Sequence, residues 1–186
     1  MIDKILSMLK KEYRLKSLDS GVFHKLVVRG MNFEINSYEV VGFGRVASMC
    51  ASGLFGLIKR DVLVISPMEK EAPVITYERV KAFGKDTVML TKYDIEKEPV
   101  CIREVGNKKK SAEFDREVEN FISTYMEEIS QATSVNIDER RVQVEELVTS
   151  LIQGYQLIAD IFLATYGMKV TEKLYHEILF GSRESK

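Results

Sequence analysis

The residue in this sequence with the clearest chemical potential is a glutamate, Glu78, within a strand-like apolar segment at residues 73–80. A carboxylate on a sheet that faces an apolar pocket has its pKa raised by desolvation, and it can then donate a proton to a bound molecule. The simpler alternative places Glu78 on a solvated face, beside Arg79 or Lys81. Glu78 is therefore a candidate acid, with the solvated face as the competing interpretation.

Other familiar chemistries lack their residues. The two histidines, His24 and His176, lie in no HExxH or comparable cluster, so we predict no metal site, and we expect His176 on the surface of a helix. The glycines at positions 42, 44, 53 and 56 do not have the spacing of a phosphate-binding loop, and we expect them in turns or bulges. Cys50 and Cys101 sit on separate apolar segments and are expected to be buried thiols.

Short β-type segments carry Glu78 and its neighbours. They lie at residues 26–28, 33–36, 44–51, 57–66, 74–80 and 87–93, divided by glycine, proline and charged turns. Such spacing indicates antiparallel hairpins, because the links are too short for the crossovers of a parallel sheet.

Helical periodicity lies on both sides of this block. An amphipathic stripe occupies residues 1–12, and apolar residues at steps of three and four run through residues 114–129. A second long helix is predicted at residues 138–165 with Gly167 as its stop, followed by a third that Thr171 caps. The fold class predicted is α+β, an α/β/α sandwich whose central, mostly antiparallel sheet is flanked by helices.

The length and charge of the chain set wider bounds. Its 186 residues suit one domain, with an N-terminal helix and lead-in at 1–22, the antiparallel sheet at 23–105 and C-terminal helices at 111–181. The net charge of −1 offers no global field for nucleic acid or an anionic membrane. The first residues do not resemble a signal peptide and no apolar run could span a membrane, so we expect a cytoplasmic protein with no membrane partner. The oligomeric state is open.

The lysine run at 108–110 is expected to be a solvated loop, with docking of an acidic protein as the alternative.

Two separated stretches resemble the ferredoxin-dependent bilin reductases. The strand at residues 73–78 and the following strand at 88–94 are similar to that family's proline, apolar, aromatic, glycine, x, aspartate strand and its successor. Residues 166–180 resemble the family's C-terminal signature, which has an aromatic-glycine pair, a helix with a tyrosine, and leucine-phenylalanine near the chain end. Order and placement of both stretches agree with the family.

The resemblance implies a linear tetrapyrrole held between the sheet and the C-terminal helices. It also implies electrons delivered one at a time by external reduced ferredoxin, with no bound metal or flavin, and protons supplied by acidic and histidine side chains. Glu78 would then be the proton donor. Arg45 and Arg60 could pair with the propionates of the pigment, because guanidinium matches carboxylate bidentately. The alternative for each arginine is an ordinary surface position.

The sequence departs from the family pattern in two places. Glu78 stands where the family has aspartate, and residues 57–65 hold no counterpart of the histidine that many members carry on the preceding strand. Three functions therefore stay open. They are a bilin reductase with Glu78 as donor, a non-catalytic protein that binds a tetrapyrrole or another flat ligand, and a structural or partner-binding protein of the same architecture.

Overall fold

The computed structural model describes residues 1–94, 99–106 and 111–184. Within these ranges the chain forms one antiparallel sheet of eight strands, in the spatial order β1-β3-β4-β5-β6-β7-β8, with β2 also paired to β3. The strands are β1 (Leu15–Leu18), β2 (Lys25–Val28), β3 (Met31–Val40), β4 (Gly44–Gly53), β5 (Ile58–Pro67), β6 (Val74–Ala82), β7 (Lys85–Tyr93) and β8 (Val100–Gly106). From β2 through β7 consecutive strands are paired, as expected from short links of turn residues.

Helices cover both faces of the sheet. They are α1 (Ile2–Glu12), α2 (Ser111–Gln131), α3 (Ile137–Gln153) and α4 (Ala159–Lys173), and α4 continues into a π-helical turn (Leu174–Leu179). Asn136 caps α3, since its side chain accepts a hydrogen bond from the backbone N–H of Asp138 at 3.0 Å. No helix in the described ranges has both the length and the apolar character needed to cross a lipid bilayer.

Alternation along the central strands divides the interior into two cores. On β5, Val62 and Val64 pack in the core that contains α3, α4 and the π-helical turn. Leu63 and Ile65 point the other way, into the core that contains α1 and α2. A period of two residues places successive side chains on opposite faces, so one buried strand serves both layers. The predicted α+β sandwich with a central antiparallel sheet is confirmed.

The prediction for the C-terminal helices is wrong in detail. The helix predicted over residues 138–165 is interrupted between Gln153 and Ala159, where Tyr155, Leu157 and Ile158 all have positive φ. Gly167, predicted as a stop, is instead a break within α4, with φ 75° and ψ 178°. Thr171 caps nothing, because it lies inside α4 and its hydroxyl donates back to the Gly167 carbonyl at 2.9 Å. The lysine run at 108–110 lies outside the described residues.

Candidate functional site

Glu78 lies in the middle of the sheet and points toward the C-terminal helices. It pairs with Val62 on β5 and with Met89 on β7. Val62 belongs to the core beneath α3 and α4, and residues that pair in register share a face of the sheet. Glu78 is only 8% exposed. The solvated-face alternative for this residue is therefore wrong.

The carboxylate of Glu78 is engaged by an arginine on the neighbouring strand. Arg60 Nη2 lies 3.0 Å from both Oε1 and Oε2 of Glu78. Arg60 precedes Val62 by two residues, so it shares the same face of β5. Its Nε is buried and has no hydrogen-bond partner among the described residues. A buried donor without a partner is costly, and here it offers a free contact to a bound molecule next to Glu78.

Arg79 does not compete with Arg60 for Glu78, because its side chain lies on the opposite face of the sheet. Arg79 points toward α2, where its Nε donates to Asp86 Oδ1 at 2.9 Å and its Nη1 to Asp115 Oδ1 at 3.0 Å. The hydrogen bonds that Arg79 donates to Asp86 raise the pKa of Arg79, and they also hold the pKa of Asp86 below its usual value. Successive side chains of β6 thus take part in two separate charge networks.

Two buried tyrosines on the same side of the sheet lie within electrostatic reach of Glu78. Tyr93, on β7, donates its hydroxyl to Gln156 Oε1 at 3.0 Å. Tyr175, in the π-helical turn, donates to the Gln156 carbonyl at 3.0 Å and also contacts the Leu157 carbonyl. Burial raises the pKa of Tyr93 and raises that of Tyr175 well above its usual value, with Arg60 and Glu78 as smaller electrostatic influences on Tyr175. Both hydroxyls therefore stay protonated at neutral pH and serve as neutral donors.

The acceptors for these tyrosines sit on a strained segment between α3 and α4. Tyr155, Leu157 and Ile158 have φ of 55°, 53° and 73°, a region that side chains with a Cβ rarely occupy. Strained backbone of this kind tends to cluster at binding and switch regions. We name residues 154–158 the strained loop. It joins the polar cluster of Arg60, Glu78, Tyr93 and Tyr175 to the helical layer.

Sequence reasoning brought Glu78 and Arg60 forward but not their partners. The two tyrosines lie within the stretches that carried the family resemblance, yet no spacing rule pointed to them as neighbours of Glu78. The nearest sequence signal for the strained loop was Gly154, a helix-terminating residue type inside an otherwise continuous apolar stripe.

Arg45 lies in a different part of the molecule. It pairs with Ser66 on β5, four residues beyond Val62, which places it roughly 13 Å along the strand from the level of Glu78. Its Nη1 donates to Ser37 Oγ at 3.2 Å and to the Glu177 carbonyl at 3.0 Å. Burial lowers the pKa of this guanidinium. Arg45 lines a cleft of about 490 Å³ beside Gly44, Met68 and Ile178, and none of Arg60, Glu78 and Tyr175 lines that cleft.

Two further expectations about reactive side chains are wrong. His176 is buried rather than exposed, and its Nδ1 lies 2.9 Å from Ser182 Oγ. Burial lowers the pKa of His176 to about 4, so the ring is neutral at physiological pH. Cys50 and Cys101 are free and exposed rather than buried. The Cys50 thiol stays protonated at neutral pH and is a poor nucleophile, because desolvation of the sulfur and the nearby Asp61 carboxylate raise its pKa to about 12.

Comparison with known proteins gives a result at the level of fold. No protein-family model matches the chain, and no curated protein matches it. Among solved structures, the chain is similar to selenomethionine-labelled phytochromobilin synthase from tomato, determined in complex with biliverdin. The TM-score is 0.78 at 9% sequence identity, and the match covers 97% of this chain and 82% of that one. The two proteins share a fold over nearly the whole of this chain.

Proposed function

We propose that this protein binds a linear tetrapyrrole between the sheet and the C-terminal helices and reduces it, with Glu78 as the proton donor. One observation carries the proposal. In a fold similar to that of a biliverdin-bound protein, a buried carboxylate sits at the centre of the sheet and faces α3 and α4. A buried carboxylate is expensive to maintain, and an apolar residue would serve the core better if packing were its only purpose.

The division of labour follows from the residues present. The conjugated pigment accommodates the added electrons, and external reduced ferredoxin supplies them one at a time. The chain supplies protons and orientation. Tyr93 and Tyr175 hold neutral hydroxyls within electrostatic reach of Glu78, and such donors suit carbonyl oxygens at the ends of the pigment.

Arg60 couples binding to proton delivery in this proposal. Both carboxylate oxygens of Glu78 accept from Arg60 Nη2, so the carboxylate is held as an ion pair when no pigment is bound. A propionate of the pigment would offer Arg60 a second carboxylate, and its unpartnered Nε a hydrogen-bond acceptor. Release of Glu78 from this pair leaves it free to take a proton from solvent and pass it to the reduced pigment. Arg45, at the far end of the same face, is proposed to contact a second propionate.

The test has two stages. Biliverdin, and separately heme, is titrated into the purified protein while absorption spectra are recorded. We expect a shifted, saturable biliverdin spectrum at micromolar pigment. Reduced ferredoxin is then added without oxygen, and the biliverdin absorption should bleach and be replaced by that of a more reduced pigment. No spectral change with either pigment would remove both tetrapyrrole functions and leave the structural or partner-binding alternative.

A matched pair of variants addresses the role of Glu78. Glu78→Gln should bind biliverdin within a few-fold of the wild type and lose turnover, because the amide occupies the same space without an acidic proton. Glu34→Gln is the control, since Glu34 is an exposed carboxylate on β3 whose register partner is Cys50. Turnover of Glu78→Gln equal to that of Glu34→Gln would remove Glu78 from the mechanism.

The second candidate function is pigment binding without turnover. It is favoured by the contact of Arg60 Nη2 with both carboxylate oxygens of Glu78, which occupies the proposed donor in the unliganded protein. A biliverdin spectrum that shifts on binding but stays unchanged after reduced ferredoxin is added would select this function over the reductase.

A further inference from the structure

Large apolar side chains cluster at one end of the sheet, away from both cores. The turn between β4 and β5 exposes Leu54, Phe55 and Leu57, which are 53%, 107% and 62% accessible. The turn between β6 and β7 exposes Phe83, which is 71% accessible. Ile58 pairs with Ala82, so the two turns are neighbours in space. We name these four residues the apolar hairpin end.

The backbone at these positions makes their side chains harder to explain as packing. Leu54, Phe55 and Phe83 have φ of 46°, 54° and 48°. Tight hairpin turns with positive φ favour asparagine, aspartate or glycine, because a bulky side chain is strained there. Phe83-Gly84 stands where Asn-Gly is the usual choice. A fully exposed phenylalanine in such a turn adds neither stability nor solubility to the chain.

Basic residues surround the apolar hairpin end. Lys59, Lys81 and Lys85 lie on the strands that lead into the two turns, and all three are exposed. Arg29, also exposed, occupies the adjoining turn between β2 and β3, which lies against Gly53. Asp86, which follows Lys85, is already paired with Arg79. The local surface is thus cationic, although the chain as a whole carries a net charge of −1.

We propose that the apolar hairpin end docks on an anionic membrane surface. Phe55, Phe83 and the two leucines enter the boundary between headgroups and acyl chains, and the lysines and Arg29 contact the anionic headgroups. Lysine suits this place because its long stem lies along apolar surface while its ammonium stays with the phosphates. The proposal departs from the expectation of no membrane partner, which rested on overall charge and on the length of apolar runs.

The shape and charge of the end favour lipid over other occupants. An accessibility of 107% means that Phe55 is as exposed as it would be in an extended peptide, so its ring is available for insertion into a soft surface. Two copies of the chain meeting through this end would bring eight basic side chains together, four from each copy, and like charges oppose such a contact. Leucine side chains offer no stacking face to nucleic acid bases, whereas they partition well into acyl chains.

The test is flotation of the full chain with vesicles of phosphatidylcholine, with and without phosphatidylserine. We expect the protein to float with the anionic vesicles and to be released by high salt. The double variant Phe55→Asn and Phe83→Asn should bind roughly tenfold more weakly, since each change removes an apolar side chain from the bilayer boundary. Asparagine tolerates positive φ, so the variant is expected to fold at least as well as the wild type.

Val41→Asn is the matched control. Val41 is an exposed apolar residue, 56% accessible, in the turn between β3 and β4 at the opposite end of the sheet. This variant should float like the wild type. Wild-type protein that stays out of the anionic vesicles overturns the proposal, as does a double variant that floats as well as Val41→Asn. A concentration-dependent dimer in gel filtration that the double variant abolishes would assign the surface to a second copy instead.

Discussion

The interaction energy between Arg60 and Glu78 can be measured from the unfolding free energies of variants at the two positions. The pair is neither fully buried nor exposed, since the side chains are 26% and 10% accessible. Exposed ion pairs contribute about 0–1 kcal/mol, whereas breaking a buried pair costs about 3–5 kcal/mol. We expect Arg60→Met to lower the free energy of unfolding by about 2 kcal/mol, because it leaves the Glu78 carboxylate without its partner.

The double-mutant cycle separates the pair from its surroundings. Glu78→Gln keeps an acceptor oxygen for Arg60 and should cost about 1 kcal/mol. The double variant has no unpaired carboxylate. Its loss of unfolding free energy should therefore be about 1–2 kcal/mol smaller than the sum of the losses in the two single variants. Urea unfolding followed by circular dichroism at neutral pH supplies the four values. The control cycle uses Lys16 and Glu39, a 3.4 Å surface pair whose side chains are 68% and 51% accessible, with expected coupling below about 0.5 kcal/mol.

The outcome that would refute this reasoning is additivity. Losses that add to within about 0.5 kcal/mol, as for the surface pair, would mean that solvent screens the buried contact. Arg60 could then not hold Glu78 as an ion pair, and the proposed release of Glu78 on pigment binding would lose its basis.

Three further predictions concern groups outside this pair. The hydrogen bond from Arg79 is the main reason that the pKa of Asp86 lies below its usual 3.8. The contribution of Asp86 to stability is therefore present above that pH and is lost as pH falls below it. Asp86→Asn should lower the urea midpoint at pH 6, and its urea midpoint should decline less than that of the wild type below about pH 4. Burial lowers the pKa of His176 to about 4, so between pH 6.5 and 4 the unfolded chain binds a proton that the folded chain does not. Stability should therefore fall as pH drops through this range. The same titration of urea midpoints should show no such decline in His176→Asn. Tyr175→Phe removes the donor shared by the Gln156 and Leu157 carbonyls and should lower the free energy of unfolding by about 1–2 kcal/mol; a thermal midpoint equal to that of the wild type would show that these carbonyls find water instead.

The sequence predicts what depends on local pattern. Alternation on β5 and β6 and the turn residues between them identify the strands, because period and turn chemistry are properties of short segments. It does not predict the contact between Arg60 and Glu78, which are 18 residues apart and meet only because β5 and β6 pair in one particular register. The same holds for Phe55 and Phe83, whose neighbouring turns follow from that register.

The break between α3 and α4 shows a different limit of sequence reasoning. The apolar stripe continues across residues 154–158 as if the helix did, because Leu157 and Ile158 are buried there as they would be in a helix. Tertiary contacts, rather than the local pattern, decide that the helix breaks here. Tyr175 and Tyr93 both donate to Gln156, and the strained loop persists because these distant donors hold it in place.

This arrangement bears on how a pigment could reach Glu78. The sheet side of the site is rigid, since β5, β6 and β7 are paired along nearly their whole length. The helical side is joined to the polar cluster through Tyr93, Gln156 and Tyr175, and the backbone that carries Gln156 is already strained. Breaking the Tyr93–Gln156 hydrogen bond, which ties the Gln156 side chain to β7, costs about 1 kcal/mol net and leaves Tyr175 as the remaining tyrosine that holds the strained loop. Entry between the sheet and the helices therefore requires movement of the strained loop rather than of a strand. Tyr93→Phe removes this hydrogen bond, together with the interactions of the Tyr93 hydroxyl with Thr76 and Thr91. It should accelerate biliverdin binding in stopped-flow absorption, and an unchanged rate would place the entry path elsewhere.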